Sequence, residues 1–198
     1  MDTLLDNISS LFKKYGVKSV TMDDLAEAFG ISKKTLYTNF ENKNDVVYKV
    51  ASYELNKEID ELENLCQKHK NVIDQLYAIS KYIIKKNFEI TPSLTFSVDK
   101  YYHQIWKELL NKRESHIIDI ITNNFNKGVK QGIYRKDLNI VVIRNFYTFL
   151  LNIENIEMYK DWMTEKFDDT FNTIFTYHIR GIANNVGLEY LEKQFLRK

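Results

Sequence analysis

The chain has 198 residues, of which 44% are hydrophobic and 28% are charged, and its formal net charge is +1. This balance supports a sizeable buried core and excludes disordered, collagen-like and low-complexity classes. No apolar run approaches the roughly 20 residues of a membrane span, and the chain lacks the basic start of a signal peptide. A single cysteine excludes an internal disulfide and a cysteine-ligated zinc site. We therefore expect a cytoplasmic globular protein that does not contact membranes.

Residues that break helices are rare in this sequence. It contains one proline and six glycines, whereas average proteins have about 5% proline and about 7% glycine. This scarcity predicts an all-α fold. Because the net charge is close to zero, any contact with nucleic acid must come from a local patch of the surface.

Apolar residues that recur every three or four positions predict a series of helices. The first predicted helix ends at Tyr15, and the second begins at the capping residue Thr21 and stops at Gly30. Ser32 is the expected cap of a short third helix that runs to Phe40. The later predicted helices cover residues 43–66, 73–88, a short segment from 92, 103–130, 139–157 and 164–183, before a tail around 188–195.

The segment from Thr21 to Phe40 has the pattern of a helix-turn-helix, in which two short capped helices flank a glycine turn. Its inward-facing apolar positions are Leu25, Ala26, Phe29, Ile31, Leu36 and Phe40. The outward-facing positions of its second helix, which suit base edges in a major groove, are Lys33, Lys34, Thr35, Tyr37, Thr38 and Asn39. Thr21, Ser32 and Lys43 stand at helix N-termini, where backbone N–H groups favour phosphate.

The order Thr-x-x-Asp-Leu-Ala-x-x-x-Gly-Ile-Ser-x-x-Thr-Leu-Tyr-x-x-Phe-x-x-Lys, from Thr21 to Lys43, resembles the DNA-binding signature of the tetracycline-repressor (TetR) family of bacterial regulators. The resemblance implies a three-helix DNA-binding head over residues 1–47. It also implies a helical effector-binding and dimerisation body over residues 48–198, which the long fourth helix joins to the head. The homodimer would form mainly through the predicted helices 139–157 and 164–183.

The same resemblance assigns roles to individual residues. It implies phosphate contacts for Thr21, Tyr37 and Lys43, and groove contacts for Thr35, Thr38 and Asn39. The tyrosine-histidine pair that usually follows Leu-Tyr in this family is replaced here by Thr38-Asn39. We therefore expect a base preference that differs from that of a typical member.

Aromatic residues are concentrated after residue 50, where they favour either a ligand cavity or ordinary core packing. The candidates for the effector cavity are Phe88, Phe96, Tyr102, His103, Trp106, Phe125, Phe146 and Tyr147. Two apolar stripes are candidates for a permanent dimer interface. They contain Phe149, Ile153, Phe167, Phe171, Ile174, His178 and Ile182.

The four histidines are far apart, and the sequence has no metal-binding histidine pair, glycine-rich phosphate loop or nucleophile elbow. We therefore expect neither an enzyme nor a metal or cofactor site. The favoured hypothesis is a TetR-like repressor that binds a palindromic operator in double-stranded DNA as a homodimer and is released by a small apolar or aromatic effector. The alternative is a helical ligand-binding or interaction protein whose head has lost its affinity for DNA.

Overall fold

The structure, a computed structural model, describes residues 1–89, 92–152 and 167–196. Across these ranges the regular elements are helices, and one isolated antiparallel bridge joins Tyr134 and Ala183. The helices are α1 (Asp2–Tyr15), α2 (Met22–Ala28), α3 (Lys33–Asn39), α4 (Lys43–Lys68), α5 (Val72–Glu89), α6 (Pro92–Lys130), α7 (Ile140–Leu151), α8 (Phe167–Ile182) and α9 (Asn185–Leu191), with a π-helical turn at Glu192–Leu196. The predicted all-α fold class is confirmed.

Helix α6 consists of two helices joined across a kink. The backbone at Tyr102 is not helical, with φ −135° and ψ 38°, and it separates a shorter helix that begins at Pro92 from a longer one that ends at Lys130. The two helices that the sequence pattern predicted, one from Pro92 and one from His103, are confirmed. None of the helices in the described ranges has the length and apolar character needed to cross a membrane.

One compact unit contains Met1–Asp60 and the part of α6 up to Arg113. Its core includes the fully buried side chains of Ile8, Leu25, Leu36 and Phe40. An ion pair joins α4 to α6 within this unit, because the Arg113 guanidinium donates to both carboxylate oxygens of Glu58 at 2.7–3.0 Å. The unit therefore extends along α4 beyond residue 47, where the sequence placed the end of the head.

The second compact unit contains Glu61–Glu89 and the chain from Glu114 onward. A buried polar network links α5 to α6 within it. The Asn124 side-chain amide donates to Gln75 Oε1 at 2.8 Å and to the Val72 carbonyl at 2.9 Å. The Tyr134 hydroxyl lies 3.2 Å from Asn124 Oδ1, so the network also includes the turn that follows α6. Because its polar atoms find partners, this network fixes the packing of the helices at little cost in free energy.

Candidate DNA interface and ligand cavity

Helices α2 and α3 form the helix-turn-helix that the sequence predicts. Leu25, Ala26, Leu36 and Phe40 are buried in the core of the first unit, and Phe29 and Ile31 pack against it, as expected from their spacing. The turn between the helices uses Gly30, whose φ of 61° lies in the left-handed region that a side chain disfavours. The apolar pattern therefore fixes which face of α3 remains outside.

Both short helices are held at their N-termini by side-chain caps. Thr21 Oγ1 accepts a hydrogen bond from the Asp24 amide, and the Asp24 carboxylate accepts from the Thr21 amide at 2.7 Å, which completes a capping box. The Thr21 amide also lowers the pKa of the Asp24 carboxyl below its usual value. Ser32 Oγ accepts from the Thr35 amide at 3.0 Å. Each cap stabilises its helix by about 1 kcal/mol.

The outward face of α3 carries the six predicted polar side chains. Lys33, Lys34, Thr35, Tyr37 and Thr38 are exposed and Asn39 is half-buried.

Several of these polar groups already have partners. The Lys33 ammonium pairs with the Asp23 carboxylate of α2 at 2.7 Å, and both side chains are 64% exposed. The Thr38 hydroxyl and the Asn39 amide donate to carbonyl groups one turn earlier in α3. Within the described part of the chain, the Lys34 ammonium takes part in no hydrogen bond or ion pair. Lys34 therefore presents the most available positive charge on α3.

Lys43 does not lie on this outward face. Its ammonium donates to the Val20 carbonyl at 2.6 Å and lies 4.0 Å from the centre of the Phe12 ring. Burial lowers the pKa of this ammonium to about 8. Without DNA, this ammonium joins the N-terminus of α4 to α1 and to the segment before α2, and the phosphate contact of Lys43 stays a prediction.

The predicted dimer residues of α8 need a correction. Phe171, His178 and Ile182 are buried inside this chain, with 3%, 7% and 3% of their surface exposed. The Phe171 ring packs in the second unit's core, 6.0 Å from the ring of Phe175. These three residues are core residues, since a partner chain reaches only side chains at the surface. Phe167 and Ile174 are half-buried, and Ile153 lies outside the described residues.

Within the described part of the second unit, the exposed large apolar side chains lie mainly on α7. We define the exposed apolar face as Val142, Phe146 and Phe149 of α7 together with Tyr177 of α8, which are 59%, 53%, 55% and 79% exposed. The three α7 residues follow one helical stripe, with spacings of four and three. Of the predicted interface residues, Phe149 lies on this face. The sequence analysis placed Phe146 among the cavity candidates and assigned neither Val142 nor Tyr177, because an apolar stripe does not reveal which chain covers it.

The second unit contains a cavity of about 230 Å³ between α5, α7 and α8. The described residues that line it are Ser80, Ile84, Phe146, Tyr147, Leu150, Leu151, Phe171, Ile174, Phe175, Tyr177 and His178. None of these described residues carries a charged side chain. Ser80 donates to the Leu76 carbonyl, so the hydroxyl hydrogen of Tyr147 is the one that joins Tyr147 to Ser80 Oγ. Both hydroxyl hydrogens are therefore engaged within the chain.

The predicted cavity residues separate into three groups. Phe146 and Tyr147 line the cavity, whereas Phe125 lies in the core beside Tyr147 and Phe88 packs against Phe167. The remaining four, which belong to the first unit, are Phe96, Tyr102, His103 and Trp106.

His103 in particular is an exposed side chain, and it pairs with Asp99 at 2.7 Å. The sequence reasoning missed Ser80, whose signal was a polar residue inside the apolar stripe of α5. It also assigned His178 to the dimer interface instead of to the cavity.

His178 is expected to make folding sensitive to acid. Burial lowers its pKa from 6.5 to about 4, so the unfolded chain binds this proton between those pH values and the folded chain does not. The free energy of unfolding should therefore fall by up to about 3 kcal/mol as the pH drops from 6.5 to 4, and this contribution is fully retained above 6.5.

Urea titrations at several pH values would measure this effect. His178→Phe should remove this part of the acid sensitivity, whereas His103→Gln, which changes an exposed histidine, should leave it in place. Equal acid sensitivity in the parent protein and in His178→Phe would contradict the assignment.

Comparisons with known proteins agree with this architecture. Residues 4–50 match the family described as "Bacterial regulatory proteins, tetR family". The chain is 26% identical over 155 residues to the uncharacterised HTH-type transcriptional regulator YhgD of Bacillus subtilis, covering 75% of this chain and 80% of that protein. It is 22% identical over 153 residues to the HTH-type transcriptional repressor KstR2 of Rhodococcus jostii, covering 72% of each.

A solved structure extends the likeness to the fold as a whole. The crystal structure of a TetR/AcrR-family transcriptional regulator from Thermobifida fusca covers 90% of this chain and 96% of its own, with a TM-score of 0.70 and 16% identity. The fold and the helix-turn-helix thus define a transcriptional regulator. The chain is similar to regulators of the TetR family, and it is a TetR-like transcriptional regulator.

Proposed function

We propose that the protein represses transcription by binding a palindromic operator as a homodimer, and that a small apolar or aromatic effector releases it. The observation that carries the proposal is the polar outer face of α3, held outward by the buried positions Leu36 and Phe40. A helix presented in this way fits the major groove, where its first residues contact base edges. The relative KstR2, which is described as a repressor, supports the direction of regulation.

The exposed apolar face supports the homodimer. An apolar surface of this kind on a monomer is a common mark of a protein interface. A two-fold axis through α7 and α8 would cover it with the same face of a second copy. Two heads must then be spaced by about one helical turn of DNA, roughly 34–36 Å, to read both halves of a palindrome.

The cavity supports control by an effector. Phe146 and Tyr177 belong both to the cavity lining and to the exposed apolar face. A molecule that fills the cavity would therefore contact side chains of the proposed dimer interface. Operator affinity would fall if the effector binds more tightly to a form of the dimer in which the two heads are spaced differently. The size of the fall is set by the difference in effector affinity between that form and the DNA-binding form.

Lys34→Gln tests the DNA contact. We expect weaker binding to all DNA sequences, because a lysine–phosphate contact carries no base information. The slope of log K against log salt should become flatter by about two, which corresponds to one phosphate contact for each head of the dimer. Fluorescence anisotropy with a labelled fragment of the protein's own promoter, measured over a range of salt concentrations, provides both quantities.

Lys136→Gln is the matched control, because it makes the same charge change at an exposed lysine of the second unit. It should leave the salt slope unchanged. A loss confined to particular operator sequences in Lys34→Gln would instead place Lys34 at a base edge. Equal effects of the two substitutions would show that only the net charge matters.

The second candidate function is that of a helical ligand-binding or interaction protein without DNA affinity. Two observations favour it: residues 1–47 contain six Lys and seven Asp or Glu residues, and the Lys33 ammonium is paired with Asp23. Binding of promoter DNA that is no tighter than binding of unrelated DNA, even at low salt, would support this function over repression.

A further inference from the structure

The wall of the cavity contains a buried nitrogen without a hydrogen-bond partner. His178 lines the cavity and is 7% exposed, and its Nε2 has no hydrogen-bond partner among the described residues. A buried polar atom without a partner destabilises the fold, because it has lost its hydrogen bonds to water and gained none in return. A ligand that forms a hydrogen bond with this nitrogen would therefore gain affinity from that contact.

The two buried hydroxyl groups of the described lining do not compete for this role, and Tyr177, which carries the third, is 79% exposed. The Ser80 and Tyr147 hydroxyl hydrogens are engaged with Leu76 and Ser80, as described above. The His178 ring lies 4.2 Å from the Tyr147 ring, which holds the imidazole in place beside the cavity. Among the described residues that line the cavity, His178 Nε2 is thus the one buried side-chain polar atom that has no hydrogen-bond partner.

The electrostatics of the described lining disfavour a charged ligand. None of the described residues that line the cavity is Lys, Arg, Asp or Glu. At neutral pH the imidazole is uncharged, because burial keeps the pKa of His178 near 4. A carboxylate in this place would lose its hydration without gaining a cation, which is strongly unfavourable.

The volume sets the size of the ligand. An apolar cavity of about 150 Å³ holds benzene, so the present volume of about 230 Å³ suits two fused rings. We propose that this cavity binds a neutral molecule of about that size whose one hydroxyl-type group pairs with His178 Nε2. This inference rests on the proposed function, since it gives a chemical class to the effector.

Three probes of matched shape test the proposal on the full chain without DNA: naphthalene, 2-naphthol and 2-naphthoate at pH 7. A hydroxyl serves His178 Nε2 in either tautomer, because it both donates and accepts. We expect 2-naphthol to bind at least about tenfold more tightly than naphthalene, although it is the less apolar of the two. 2-Naphthoate should bind more weakly than both. Calorimetry or displacement of a fluorescent probe measures these affinities.

Two variants locate the effect. His178→Phe keeps a ring against Tyr147 and removes the nitrogen, so it should abolish the preference for 2-naphthol while retaining naphthalene binding. Leu150→Trp fills the cavity from its half-exposed rim and should abolish binding of both neutral probes. If His178→Phe does not fold, Leu150→Trp and the comparison of the three probes in the parent protein still decide the matter.

Three results would overturn the proposal: equal affinity for naphthalene and 2-naphthol, tightest binding of 2-naphthoate, or binding that survives Leu150→Trp. These results are separate from the test of the proposed function. A protein that binds its operator but none of the probes is a regulator without this ligand site. A protein that binds 2-naphthol as expected, with no change in operator affinity, retains the site but lacks the proposed control of DNA binding.

Discussion

Val142→Glu is expected to dissociate the proposed homodimer and, with it, to abolish operator binding. Val142 is 59% exposed in the chain and lies on the exposed apolar face. In a two-fold symmetric interface, each substitution occurs twice, once in each copy of the chain. Loss of about 1.5 kcal/mol of apolar burial for each copy then raises the dissociation constant of the dimer at least about 100-fold, before the cost of burying two carboxylates is added.

Sedimentation velocity and operator binding should report this change together. The matched control is Val186→Glu, which introduces the same charge at a valine of α9 that is 62% exposed but lies off the exposed apolar face. It should leave both the dimer and the DNA affinity unchanged. An intact dimer in Val142→Glu would show that the dimer forms through another surface.

Gly128→Ala is expected to be the most destabilising small substitution in the second unit. A Cβ at residue 128 would lie 2.1 Å from Cδ2 and 2.4 Å from Cε2 of Tyr134. The tyrosine cannot withdraw easily, because it is buried and its hydroxyl lies within 3.3 Å of Asn124 Oδ1 and of the Val72 carbonyl. We expect a loss of roughly 3 kcal/mol or more, since overpacking in a rigid core typically costs 1–3 kcal/mol.

Gly181→Ala makes the same chemical change but is expected to have the opposite effect on the free energy of unfolding. Residue 181 lies in α8, and a Cβ there would meet no atom within 4 Å. Alanine favours a helix over glycine by about 0.5–1 kcal/mol, so this variant should be slightly more stable than the parent. Urea titrations of both variants give the comparison.

A double variant shows whether the steric clash is the cause. Shortening Tyr134 to Ala removes the atoms that a Cβ at residue 128 would meet. The cost of Gly128→Ala should therefore be much smaller in the Tyr134→Ala background than in the parent. If Gly128→Ala costs as much free energy of unfolding in the Tyr134→Ala background as in the parent, the clash with Tyr134 is not the cause of the destabilisation.

The helix-turn-helix could be predicted from the sequence because its determinants are local. Thr21 and Ser32 cap their helices by accepting hydrogen bonds from backbone amides three residues later. The turn at Gly30 depends on the positive φ angle of that one residue. Apolar spacing then selects the inward face of α3, since neighbours on a helix lie three or four residues apart. The direction of the exposed α3 side chains follows from these short-range rules.

The interior of the second unit depended on the tertiary structure. The apolar stripe of α8 was visible in the sequence, but periodicity does not distinguish a face buried in the same chain from one covered by a partner. Phe171 and His178 could therefore be assigned only once α5 and α7 were in place against α8.

The same reason applies to the contacts of Lys43 with Val20 and of Gly128 with Tyr134. Each depends on how close two helices or turns approach in space. Sequence spacing sets which side of a helix a residue occupies, whereas packing between helices sets which atoms it meets. The sequence by itself thus determined the helices and the polar face of α3, and the tertiary structure alone decided the cavity, the buried histidine and the side chains left exposed on α7.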